Sequence, residues 1–147
     1  MNDADIYELI ERRLESFWTA APATVTKVNG NFVSVTLSTK MKMTNGFVLS
    51  VPEIENVPLM KLGCTSFSIT LPIKIGDPVI VIFFSSDSSK WENKKDGEVS
   101  EPISARRNEL EYSVAIPLSR GLSEPSGSIV VSNDGTVKIN NHLEIKP

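Results

Sequence analysis

The stretch Ala23-Thr24-Val25-Thr26-Lys27-Val28-Asn29-Gly30-Asn31-Phe32-Val33-Ser34-Val35-Thr36-Leu37 decides how this 147-residue chain is read. Thr24, Thr26 and Val28 alternate with Ala23, Val25 and Lys27, and Val33, Val35 and Leu37 fall on one face of the run that follows. A period of two is the spacing of a strand with one face buried, and Asn29-Gly30-Asn31 between the runs supplies a tight turn. The stretch predicts a β-hairpin.

Downstream the same period returns in short bursts. Thr39 to Gly46 is polar, basic and rich in turn residues, and reads as a loop. Phe47 to Val51 and Ile54 to Val57 are short strand candidates broken by Pro52 and Pro58, which places them at an edge or a bend. Ser66 to Leu71 alternates again, with Phe67, Ile69 and Leu71 on one face. Gly76-Asp77 makes a turn before Pro78 to Phe84, whose unbroken β-branched and aromatic character predicts a strand buried on both faces. About five strands between Ala23 and Phe84 suit a small barrel of the OB type, although an SH3-like barrel or a small sandwich has the same periodicity.

Upstream, Ile6, Leu9, Ile10, Leu14, Phe17 and Trp18 recur at spacings of three and four, which predicts an amphipathic helix over Asp3 to Trp18. Asn2 or Asp3 can cap it, the early acids suit the helix dipole, and Pro22 bars its continuation. Its stripe packs either on its own domain, or on a neighbouring subunit or another partner protein.

Beyond Phe84 the chain turns polar, with Trp91 embedded in it, and Arg106-Arg107-Asn108-Glu109-Leu110-Glu111 leads into Val114-Ala115-Ile116-Pro117. Gly121 to Gly127 reads as a flexible linker, so the expected organisation is a helix over 1–20, a barrel over 21–120, and a linker with a C-terminal arm over 121–147. In the arm, Ile129, Val131, Val137, Ile139, Leu143 and Ile145 alternate with more polar positions, and Asp134-Gly135 and Asn140-Asn141 break the run into two or three short strands. So small a unit cannot bury its own apolar face. Either it adds to the barrel sheet, or identical arms of other chains complete it.

Composition narrows the function. A net charge of −3 with mixed signs argues against recognition of nucleic acid by bulk electrostatics, which needs a basic face, and leaves only a local basic groove open. Cys64 is the one cysteine and His142 the one histidine, so no intrachain disulfide and no cysteine-based zinc site can form. Neither a nucleophile elbow nor a phosphate-cradling glycine loop is present. The carboxylates Asp87, Glu92, Asp96, Glu98 and Glu101 form no pair whose setting would drive their pKa values apart. The expectation is a protein that is not an enzyme and has no resident cofactor. The acidic start Met1-Asn2-Asp3-Ala4-Asp5 is unlike a signal peptide, and the longest apolar run, Val79 to Phe84, is too short to span a bilayer as a helix; synthesis in the cytoplasm is expected.

Several patches resemble the spike proteins of phage baseplates, in which an N-terminal OB-fold domain leads into a trimeric β-helix. Ala23 to Gly30 is similar to the opening hairpin of that family, and Val51-Pro52-Glu53-Ile54-Glu55-Asn56-Val57-Pro58 to its proline-bracketed third strand. Phe67 to Val79, Ser85-Ser86-Asp87 with Trp91, and Arg106 to Leu110 with Ala115-Ile116-Pro117 follow in the family's order. The resemblance covers roughly Thr19 to Leu118. Asn108 stands where the family often has histidine, and the paired histidines of many spike tips are here reduced to His142.

The resemblance implies a virion structural protein, a homotrimer on the tail axis of a phage or a related contractile injection device. Its barrels form a collar against a tail hub protein, and its arms intertwine as a β-prism that pierces the host outer membrane. Ile129, Val131, Val137, Ile139, Leu143 and Ile145 are then the trimer interface. Trp91, Arg106 and Arg107 are candidates for partner contacts, the first as an aromatic anchor that can equally fold back on the barrel. His142 with its two symmetry mates is the candidate metal site, against the plainer reading of a polar strand-end residue; a separate tip-capping protein is the other way to close the spike. The rival readings are an OB-fold module binding nucleic acid or a glycan, and a baseplate adaptor that never touches the membrane.

Overall fold

The computed structural model describes residues 1–15, 17–43, 45–95, 97–121, 127–139, 143–145 and 147. The elements are helix α1 (Asp3–Glu15) and strands β1 (Ala20–Asn29), β2 (Phe32–Leu37), β3 (Met41–Lys42), β4 (Val48–Leu49), β5 (Ile54–Pro58), β6 (Leu62–Gly63), β7 (Ser68–Ile69), β8 (Pro78–Phe83), β9 (Ser113–Pro117), β10 (Ile129–Val131), β11 (Val137–Ile139) and β12 (Leu143–Ile145).

β1 and β2 form the expected hairpin, with Asn29 opposite Phe32 and a two-residue turn between them. Gly30 takes φ +60° at the first central position, where a II′ turn requires a positive φ. The central sheet is antiparallel, in the order β5-β2-β1-β8-β9. It curls into a half-barrel consistent with an OB-like fold, and its two edges meet where Leu59 bridges Ala115 in parallel and the Met60 N–H donates to the Ala115 carbonyl at 2.8 Å.

Two bulges produce the curl. Between Val25 and Lys27 strand β1 carries one residue more than β2, and between Ile54 and Val57 strand β5 carries one more, with Asn56 at φ +54°. Bulges bend a strand and raise its twist, which a narrow curled sheet requires. At the first bulge β1 turns toward the 74–77 turn: the Gly76 N–H donates to the Val25 carbonyl at 2.8 Å, and the Val25 N–H donates to the Asp77 carbonyl at 3.0 Å.

The core is a valine layer. Val25, Val33, Val35, Val57, Val79 and Val81 are fully buried, joined by Ala23, Ile54, Phe83 and Ala115, and Trp18 closes one end against the Phe83 ring at 5.6 Å. β-Branched side chains suit a tightly pleated interior, and each such burial contributes roughly 1.5–3 kcal/mol before ordering costs.

Several expectations need correcting. The fifth strand of the barrel is Ser113–Pro117, not the 66–71 stretch. There only Ser68–Ile69 is extended, paired with Leu62–Gly63 in a separate exposed hairpin, and Phe67, Ile69 and Leu71 face solvent. The expected 47–51 strand shrinks to Val48–Leu49, paired with Met41–Lys42 inside the presumed loop. Local alternation marks a strand but not its partner, and β9 wins the barrel edge through pairing with β8 over a separation of about thirty residues. β8 is buried on one face, through Val79, Val81 and Phe83, while Ile80 and Ile82 are only half-buried. Among the described residues no helix packs broadly on that outer side.

β10, β11 and β12 form their own three-stranded antiparallel sheet rather than extending the barrel. Within one chain this segment is a small meander and not a β-helix.

Candidate assembly interface

The register of the C-terminal meander aligns its apolar positions. Ile129 lies opposite Ile139 and Val131 opposite Val137, while Val137 pairs with Ile145 and Ile139 with Leu143. Directly paired residues share a face, and so do residues two apart along a strand. Ile129, Val131, Val137 and Ile139 therefore belong to one face of the sheet, and Leu143 and Ile145 hold the matching register positions on β12. Ile129 is 67% exposed and Val131 68% exposed, so among the described residues this face has little cover at β10. The β10–β11 turn is held locally: the Thr136 N–H donates to Asp134 Oδ1 at 3.0 Å, and the Ser132 N–H donates to the Thr136 carbonyl at 2.9 Å.

A second apolar surface lies at the far end of the half-barrel. Leu59, Met60, Leu62, Ile69, Leu71 and Ile116 are among the walls of a cleft of about 520 Å³, which also takes in the β1–β2 turn and Leu118 after β9. Sequence reasoning missed it, because it assigned the 66–71 residues to the core. No local signal set them apart, since Ser66 to Leu71 equals β2 in length and alternates as cleanly.

α1 is capped reciprocally: the Asp5 N–H donates to Asn2 Oδ1 and the Asn2 nitrogen donates to Asp5 Oδ2, both at 2.9 Å. Of the two expected caps the structure uses Asn2. Ile6, Leu9, Ile10, Leu14 and Phe17 are all exposed, so of the expected stripe only Trp18, beyond the end of α1 at Glu15, packs on its own domain.

The polar excursion between β8 and β9 holds the remaining candidates. Asp87 fastens it, accepting from the Ser89 N–H at 2.9 Å, from the Ser89 hydroxyl, and from the Ser104 N–H at 2.9 Å; Ser86 bridges Arg107 nearby. The hydrogen bonds from Ser89 hold the Asp87 carboxyl below its ordinary value. Burial pushes Glu92 up, against a hydrogen bond from Ser88, and the Asp87 charge adds to the rise. The two carboxyls are thus driven apart, contrary to the sequence expectation, since their settings depend on how the excursion folds. Asp87 spends its oxygens on the loop backbone and on Ser89, which is an architectural use of a carboxylate.

Trp91 opens a short 3-10 turn and folds back so that its ring meets Phe84 edge-on at 5.7 Å, leaving it 37% exposed. Arg106 and Arg107 are exposed on the returning loop, and neither makes an ion pair among the described residues. Asn108, beside them, adopts φ +57°, and its Oδ1 is buried without a hydrogen-bond partner. His142 lies outside the described residues, as does Asp96. Among the described residues no group of histidine, cysteine and carboxylate side chains is arranged to hold a metal, and no helix is long and apolar enough to cross a membrane.

What these parts define is a small β half-barrel module that carries its exposed apolar surface on appendages rather than in a closed pocket. Residues 21–118 match the family model described as Phage protein Gp138 N-terminal domain, two thirds of the chain, and this chain belongs to that family of phage proteins. The match takes in the half-barrel with both exposed hairpins and the polar excursion, while α1 and β10–β12 lie outside it. No curated protein matches the chain.

Proposed function

We propose that this chain is a structural, non-enzymatic spike subunit of a phage tail baseplate or a related contractile injection device. Three copies join through their C-terminal arms, and the half-barrels form a collar against a tail hub protein. The observation that carries the reading is the single apolar face of β10–β12, with Ile129 and Val131 exposed in a lone chain. Three such faces turned toward a three-fold axis cover one another and close without an open sheet edge, which favours an intertwined β-helix or β-prism over a dimer of flat sheets. Membership of a phage protein family supports placement in the virion. Stiffness follows from interchain strand pairing, because unfolding must break many contacts at once, and a stiff prism driven by tail contraction pierces the host outer membrane without chemistry. A metal held by three copies of His142, or a separate capping protein, completes the tip. The reading assigns no nucleic-acid partner.

Light scattering on the purified chain tests the trimer. Three chains of 16.1 kDa give a particle of about 48 kDa. A monomer at micromolar concentration overturns the proposal. Removing 128–147 should abolish or greatly weaken assembly while the valine core, which uses none of those residues, stays folded. Piercing is tested separately, by leakage of outer-membrane vesicles when assembled particles contract against them.

A further inference from the structure

Two apolar surfaces of this chain match each other in kind and have no occupant within it. One is the α1 stripe of Ile6, Leu9, Ile10 and Leu14, spaced i, i+3, i+4 and i+8, as helices that lie in grooves present their anchors. The other is the cleft among the β1–β2 turn, the β6–β7 hairpin and the end of β9, whose 520 Å³ lies within the range of ligand-sized, mostly apolar pockets. Their charges are complementary. α1 carries five carboxylates against two arginines, a net −3, whereas Lys61 is the one charged residue among the described walls of the cleft.

A chain cannot seat its stripe in its own cleft. From Trp18 onward the backbone is fixed: the Trp18 ring packs on Phe83, and the Thr19 carbonyl accepts from the Phe83 N–H at 2.9 Å. That anchor sits at the β1 end that pairs with Ile82, while the cleft opens beside Val28 and Gly30 at the other end. Eight residues of strand separate Ala20 from Val28, roughly 26 Å at about 3.3 Å per residue. Leu14 and Phe17 are within a few residues of the anchor and remain far from the cleft however α1 swings.

We propose that α1 of one copy docks in the half-barrel cleft of a neighbouring copy. The contact is head-to-tail, a helix of one chain on a cleft of the next, and such heterologous contacts close into a ring when the rotation allows. The copy number of that ring rests on the trimer proposed above; the helix-in-cleft contact does not. It adds a contact at the collar end of the particle, while assembly still depends on the C-terminal arms.

A photoreactive benzoylphenylalanine in place of Ile10 tests this in the full-length chain, at a half-exposed position that the fold does not use. Irradiation is expected to give covalent products of two and three chains, with the crosslinked peptides mapping to 59–71 or 116–118. Products of single-chain mass, crosslinks elsewhere, or no crosslinks overturn the inference. Leu71→Glu in the same background, an exposed wall residue, should reduce the interchain product at least tenfold; an unchanged yield also overturns it. A 48 kDa particle lacking these crosslinks removes the docking and leaves the trimer standing, whereas cleft crosslinks in a particle of another size do the reverse.

Discussion

Replacing Ile129 and Val131 together by aspartate strikes the apolar face where it is most open. Both side chains are about two-thirds exposed in the single chain, at 67% and 68%. Of the roughly 1.5–3 kcal/mol that full burial of such a side chain contributes, about 1–2 kcal/mol is still to be gained on assembly. Two side chains in each of three copies bring that to about 6–12 kcal/mol per particle, before the cost of ordering the arms. Aspartate forfeits this and crowds six carboxylates near one axis, where an unpaired buried charge costs several kcal/mol more. The monomer loses little, since exposed substitutions usually fall within about 0.5 kcal/mol. Ile129→Asp/Val131→Asp should therefore sediment as a monomer at concentrations where the wild type is a trimer, with an unchanged urea transition for the half-barrel. A double variant that keeps the wild-type mass refutes the assignment of this face, and one that unfolds the half-barrel refutes the independence of the two units.

Val81 is fully buried in β8, so Val81→Ala removes two methyl groups and leaves a cavity; a loss of about 2–3 kcal/mol is expected, read as a lower urea midpoint at unchanged slope. Gly76 holds φ +95° with open space where a Cβ would stand, so Gly76→Ala should cost about 1–2 kcal/mol from backbone strain alone, and a neutral result would show that the turn relaxes. Asp87 has a folded pKa below its unfolded value of about 3.9, so its stabilisation is present above that value and is lost as pH falls through the folded pKa. Asp87→Asn should lower the thermal midpoint at neutral pH, and the gap from wild type should close in acid; a gap that stays constant with pH would sink that account. Glu92 has the opposite shift, from burial, so Glu92→Gln should be neutral or stabilising at neutral pH by the same melting assay.

The hairpin over 23–37, the Gly76-Asp77 turn, the helix and the apolar register of the arm were all legible from residue order. Each depends on neighbours a few positions apart, where alternation, helical spacing and turn residues act directly. Ser66 to Leu71 shows the limit. Its alternation is as clean as that of Val33 to Leu37, yet Phe67, Ile69 and Leu71 end exposed beside a cleft, because Ser113–Pro117 pairs with β8 and takes the edge of the half-barrel. Which of two plausible strands wins a sheet edge is decided by long-range pairing and bulge placement, and those depend on the whole curled sheet.

The same division holds for function. The six apolar residues of the arm could be named from the sequence, since a period of two puts them on one face whatever the partner. Only tertiary structure decided that the barrel declines to cover that face, that α1 leaves its stripe open, and that Trp91 turns back onto Phe84. Sequence period says which side of an element is apolar; the packing of the whole chain says which of those sides remains for another molecule.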